Sequence, residues 1–222
     1  MSGVPPILIA GTTGFLSGLL LSVPVGPVNL TIINEGARRG FQFAFLMGLG
    51  ASLMEVIYCY IAFTGFASFF SQGTVKAVME VFSFAFMMFF GVKFLMTQTV
   101  PTPTRMETRI ERRFHPHSAF MTGFVRVMGN PGVLLTWIIF SANFISREWV
   151  RPSLQSKGVC VLGVALGTSL WFTGVSYAVS RGRGKFSEQT LLRLEHCSGL
   201  GLLIFGVIHG CQIVGEIIKA HH

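Results

Sequence analysis

Residues 23–30 read Val-Pro-Val-Gly-Pro-Val-Asn-Leu, which puts Pro24, Gly26 and Pro27 inside an apolar run long enough to cross a membrane. Proline lacks a backbone N–H and clashes with the preceding turn, so a helix entering this run must break there. The break takes the helical donors from the carbonyls of Leu20 and Val23. Hydrocarbon has no water to replace them, so a broken membrane helix persists only where protein or a polar cavity surrounds the break. In the second half of the chain, Gly129-Asn130-Pro131-Gly132 repeats the pattern inside another apolar run.

Composition decides what surrounds these breaks. Only 12% of the 222 residues are charged and 51% are hydrophobic, against about 25% charged in an ordinary soluble domain. Twenty-two Phe and twenty-six Gly suit lipid-facing surface and close helix contacts. At roughly 20 residues per span there is room for about six or seven transmembrane helices and no soluble domain beside them. The first apolar run has no cationic segment before it and continues into the Pro/Gly motif, so it reads as a first span and not a cleaved leader. The net charge of +8 lies in short connectors, where it sets topology against anionic lipid and does not point to nucleic acid. Cys59, Cys160, Cys197 and Cys211 form no CxxC pair, and the three within apolar runs read as small hydrophobes.

Six apolar segments stand out, near 7–33, 42–70, 77–97, 118–145, 158–180 and 197–218. The proline-containing, mixed-charge stretch between the third and fourth divides the chain into residues 1–97, a basic cytoplasmic connector at 98–117, and residues 118–222. The halves echo each other in the same order. Phe15-Leu16-Ser17-Gly18 resembles Phe120-Met121-Thr122-Gly123, and Gly50-Ala51-Ser52-Leu53 resembles Gly167-Thr168-Ser169-Leu170. Phe90-Gly91-Val92 resembles Phe205-Gly206-Val207. The expected fold is therefore an all-α integral membrane protein of six transmembrane helices. It is arranged as two inverted three-helix repeats, with helices 1 and 4 broken by Pro/Gly. Connectors after the odd spans carry ten Lys or Arg, against five on the opposite side. That bias places the connectors in the cytoplasm and both termini outside.

At the second break Asn130 is a strong N-cap residue and Pro131 an ideal first helical residue. At the first, Gly26 suits a cap conformation and Pro27 a new helix start, with Val28 and Asn29 on its first turn. A helix starting inside the membrane turns free N–H groups and a positive dipole end toward its surroundings. Two such ends suit an anionic group such as a carboxylate. Glu55 lies within the second apolar segment and Arg126 just ahead of Asn130, and a charge at such depth needs a partner. They could pair, or meet a ligand's ammonium and carboxylate. The structural alternative is that Arg126 snorkels and Glu55 caps a hydrogen bond. His209, in the last segment, titrates near neutral pH and with Glu55 is a candidate for proton coupling. Lys93 reads as a snorkelling residue at the end of the third segment.

The run Gly26-Pro27-Val28-Asn29, followed by Gly36-Ala37-Arg38-Arg39-Gly40, resembles the first-span motif of the LysE/RhtB family of bacterial amino-acid exporters. It is most similar to the lysine/arginine branch of that family. Glu55 falls where that family usually has an intramembrane Asp, and Asn130-Pro131 matches its fourth-span break. The chain departs from the pattern at Val28, where Gln is common, and at Gly132, where many members have Lys. The resemblance implies a multi-pass protein of the bacterial cytoplasmic membrane, not an enzyme, that exports amino acids or close analogues; alternating access is the mechanism expected of two inverted triplets around a midplane site. It implies a small-molecule substrate and the lipid bilayer as partners, with no cofactor; a homo-oligomer is compatible with it. Two alternatives use the same scaffold. A metal or other inorganic-ion exporter would want more ligands than Glu55, His209 and Cys211 supply. An intramembrane thiol oxidoreductase would want a cysteine at each break, and neither break has one.

Overall fold

The structure, a computed structural model, describes residues 5–23, 27–66, 73–99, 118–182 and 188–220, with Arg105, Arg109 and Arg113 of the long connector. Every regular element among them is a helix. They are α1 (Pro6–Ser22), α2 (Pro27–Arg39), α3 (Phe41–Ile61) with a π-helical turn at Ala62–Phe66, and α4 (Gly73–Leu95). After the connector come α5 (Ala119–Met128), α6 (Pro131–Ser146), α7 (Leu154–Arg181) and α8 (Glu188–Ala220). Pro24, Gly26 and most of the connector expected at 98–117 lie outside the described residues.

Among the described residues, three stretches are long and apolar enough to cross a membrane: Phe41–Gly65, Leu154–Arg181 and Leu192–Gly215. The bent pair α5 and α6 makes a fourth, and α1 is a shorter apolar helix. Polarity is distributed as a bilayer demands. Leu162, Leu166 and Leu170, four residues apart on α7, are all exposed, while Gly163, Val164, Gly167 and Thr168, turned away from that stripe, are buried. The last helix begins at Glu188 and not near residue 197. Leu192, Arg193 and Leu194 are good helix formers, so α8 extends past its apolar segment.

Glycines set the distance between helices. α1 runs along α7, and α3 packs against both α5 and α7. A Cβ at Gly18 would collide with the Val164 backbone, and one at Gly167 with the Phe15 carbonyl. With the halves exchanged, a Cβ at Gly123 would collide with the Met47 carbonyl, and one at Gly50 with the Phe120 carbonyl. The two contacts correspond residue for residue: Phe15 to Gly18 lies on residues 164–167 as Phe120 to Gly123 lies on residues 47–50. Between α4 and α8, Gly91 faces Leu203 and Gly206 faces Met88, again three positions before the partner glycine. Where α3 meets α7, Ser52 and Ser169 hydrogen-bond each other at 3.0 Å, and Ser52 also meets Thr168 at 2.5 Å. These small residues let backbones approach where no hydrophobic force between helices exists.

The Gly-x-Arg-Arg-Gly motif has a local explanation. Gly36 packs against Ala44 and Val179, and Gly40, with φ of 88°, makes the reversal from α2 into α3. Arg39 ion-pairs with Glu35 at 2.9 Å and lies over the Phe43 ring at 4.5 Å. Arg38 and Arg39 thus sit in the last turn of α2, where cations favour the helix dipole.

The glycine contacts give a direct test. Gly50→Ala places a methyl on the Phe120 carbonyl, an overpacking that costs about 1–3 kcal/mol. Its thermal unfolding midpoint in detergent should fall, whereas Gly174→Ala, which meets nothing within 4 Å, should leave the midpoint unchanged or slightly raised.

Candidate binding cavity between two helix breaks

The second break is fully described. α5 and α6 meet at 67°. Asn130 is the N-cap of α6, its side chain accepting from the Gly132 N–H at 3.0 Å, and Pro131 is the first helical residue. In an unbroken helix Gly132 would donate to the carbonyl of Met128. That carbonyl instead accepts from the Tyr58 hydroxyl of α3 at 2.8 Å. Pro131 leaves the Val127 carbonyl without its usual donor, and the Asn130 N–H takes that place at 3.0 Å.

The first break solves the same problem differently. The Ser22 carbonyl ends α1, and the Asn29 side-chain amide of α2 donates to it at 2.8 Å. Asn29 is buried, and the Trp171 indole of α7 donates to its oxygen at 3.2 Å. Trp171 therefore fixes which way the amide points, with nitrogen to the carbonyl and oxygen to the indole. The Leu20 carbonyl accepts from Val23 at 3.4 Å. The Ser22 and Met128 carbonyls are thus met by side chains, and those of Leu20 and Val127 by backbone N–H groups next to the breaks.

Glu55 lies one turn before Tyr58 on the same face of α3 and is buried. Ser22 lies 3.5 Å from its carboxylate, and the Trp137 side chain of α6 also hydrogen-bonds it. A cavity of about 320 Å³ joins these groups. Ser22, Val28 and Asn29 line it from the first break, and Val127, Asn130 and Gly132 from the second. Glu55 lies on its α3 wall, while Phe90, Phe140 and Phe172 make much of the remaining surface apolar. It reaches Lys93 and Thr97 at the end of α4, where Lys93 is exposed, and buried Glu195 of α8 lines it too. The first turns of α2 and α6 both face this space, bringing two positive dipole ends to it. At α6 the Gly132 N–H is already taken by Asn130, so that helix offers chiefly its dipole.

Of the residues expected at the site, Val28, Asn29, Glu55 and Asn130 come together around the cavity. Pro27 opens α2 and Pro131 opens α6, while Gly26 lies outside the described residues. Arg126 is half-buried on α5 but is not among the residues that line the cavity. His209 is buried elsewhere, against α4 and α6. Tyr58, Trp137, Trp171, Lys93 and Glu195 complete the surroundings without having been assigned to the site from sequence. Tyr58 had one legible signal, its position a turn beyond the intramembrane acid. Among the described residues no three His, Cys, Asp or Glu side chains gather to hold a metal.

A bundle of apolar helices with several stretches able to cross a bilayer is a multi-pass membrane protein. Residues 19–210 match the LysE type translocator family, and the chain belongs to that family. It is 27% identical over 202 residues to a Bacillus subtilis (strain 168) protein named "Putative amino acid efflux protein YcgF", covering 90% of this chain and 95% of that one. No solved structure matches the chain significantly.

The break geometry predicts a specific sensitivity. Tyr58→Phe leaves the Met128 carbonyl buried without its hydroxyl donor, a loss of about 1–3 kcal/mol. Detergent thermal scans should show a lowered midpoint for Tyr58→Phe and none for Tyr60→Phe, whose ring is exposed.

Proposed function

We propose that this protein exports amino acids or close analogues across the bacterial cytoplasmic membrane by alternating access. The observation that carries this reading is the cavity itself. It is bounded by both helix breaks and by a buried carboxylate, the chemistry that a zwitterionic amino acid requires. Membership of a translocator family and the name of the Bacillus relative support the same reading.

In this mechanism residues 1–97 and 118–222 are two inverted three-span repeats joined by the connector at 98–117. The paired glycine contacts and the Ser52–Ser169 hydrogen bond support that arrangement, because each glycine contact between the halves has a counterpart with the halves exchanged. The basic-residue bias puts both termini on the outer side. The halves rock about the cavity, exposing it to one side and then the other. The substrate carboxylate sits at the half-helix ends, formed by Gly26, Pro27, Val28 and Asn29 at one break and Asn130 and Pro131 at the other. Glu55 balances the ammonium or carries a proton, and Arg126, off the cavity wall, attracts the carboxylate electrostatically.

The test is efflux from loaded membrane vesicles over a panel of radiolabelled amino acids. Glu55→Ala and Asn130→Leu should each lower efflux of the exported species by at least about tenfold, the factor that about 1.4 kcal/mol of lost binding represents. Both variants should remain in the membrane at normal levels. Wild-type efflux from both would remove the cavity from the transport path.

A further inference from the structure

Beyond the cavity, along α4, α6 and α8, lies a second buried polar cluster. The cavity wall ends at Phe140 on α6, and Arg147 lies about 10 Å further along that helix. Phe140 stacks on Phe205 of α8 with ring centres 6.1 Å apart, and Phe144 and Trp149 close the layer. Behind this aromatic floor, His209 of α8 is held from both neighbouring helices. Its Nε2 lies 2.9 Å from the Asn143 amide nitrogen of α6 and 3.2 Å from the Glu80 carbonyl of α4. Its Nδ1 lies 3.0 Å from the Arg147 guanidinium at the end of α6 and 3.3 Å from the Asn143 amide nitrogen. Arg147 also donates to the His209 carbonyl at 3.4 Å, and the Ser146 hydroxyl donates to the Glu80 carboxylate.

These contacts define the ring's protonation. The Arg147 guanidinium only donates, so Nδ1 keeps its lone pair and the neutral ring's hydrogen is on Nε2, where the Glu80 carbonyl and, with its amide turned to present oxygen, Asn143 accept it. The ring that ties three helices together is the neutral Nε2–H tautomer. A proton on Nδ1 would set donor against donor and cation against cation. Glu80 and Arg147 are the charged residues facing it from α4 and α6 among the described residues.

We propose that the cluster of Glu80, Asn143, Ser146, Arg147 and His209 is a proton-binding latch that holds the far side of the cavity shut. With His209 neutral, α6 is tied to α4 and α8 behind the aromatic floor. A proton taken up at Nδ1 breaks the Arg147–His209 contact and lets α6 part from both. The basic-residue bias makes this side external, so proton entry from outside opens the route by which cargo leaves.

The test reads geometry and not transport. The four native cysteines are replaced by serine, and spin labels are attached at Val78→Cys on α4 and Arg151→Cys after α6, two exposed positions. Their separation is measured by double electron–electron resonance in lipid discs at about pH 8 and about pH 5.5, either side of the ordinary histidine range. Acidification should shift the distribution several Å longer, and His209→Gln should abolish the shift. Arg147→Gln keeps the ring but puts an acceptor opposite Nδ1, so it too should stay closed in acid, and it answers the question should His209→Gln fail to fold. No shift in the parent, or a shift that persists in these variants, overturns the latch.

Discussion

Hydrocarbon cannot hydrogen-bond a peptide carbonyl, and the structure follows from how the chain meets that constraint at two places. Breaking a span at Pro27 and again at Pro131 orphans the carbonyls of Ser22 and Met128 in a medium without water. Each must be met by a side chain from a neighbouring element. Asn29 meets the first and Tyr58 the second. These bonds anchor α2 to α1 and α3 to α5, and in doing so they place Glu55, a turn from Tyr58, beside Ser22. The cavity is what remains between groups already committed to repairing the breaks.

Repair works only if the helices are close enough for short side chains to reach. Gly18, Gly50, Gly123 and Gly167 supply that closeness by allowing backbone-to-backbone contact. The same four residues lie in the sequence motifs that repeat between the halves. Weak likeness between those motifs therefore carried real structural content. A glycine required by contact with a backbone carbonyl tolerates no side chain, while the residues around it are free to differ.

The legible parts of the site were those whose physics is local. Pro131 and Asn130 announce a helix start from sequence alone, and a lone Glu55 among apolar residues announces itself by its cost. Ser22, Trp137 and Trp171 carry no such mark, since a serine or tryptophan in a span is ordinary until its neighbour is known. Glu195 was hidden for another reason: it lies just before the apolar segment read from sequence, whereas the helix's apolar stretch begins at Leu192. Arg126 shows the limit of counting residues along a helix. Val127 lines the cavity, and a step of one residue turns a side chain by about 100°, enough to carry Arg126 off that wall. His209 was legible as an intramembrane titratable group, but its neighbours Glu80 and Arg147 lie on two other helices and could not be assigned to it.

Likeness between the halves also exposes where they part. In the proposed repeat, Ser52 corresponds to Ser169, which makes Phe172 the counterpart of Glu55. Both line the same cavity, from opposite halves. Backbone packing is shared but the chemistry is not: one wall presents a carboxylate and the corresponding wall an aromatic ring. A cavity with two equal walls would let an amino acid bind in either of two orientations. The α3 wall thus offers a carboxylate that the α7 wall lacks, while Glu195 of α8 adds a second carboxylate elsewhere on the lining. On the proposed mechanism, a twofold framework on which two halves rock carries walls of unlike chemistry, so that the framework serves the motion and the difference between Glu55 and Phe172 serves the cargo.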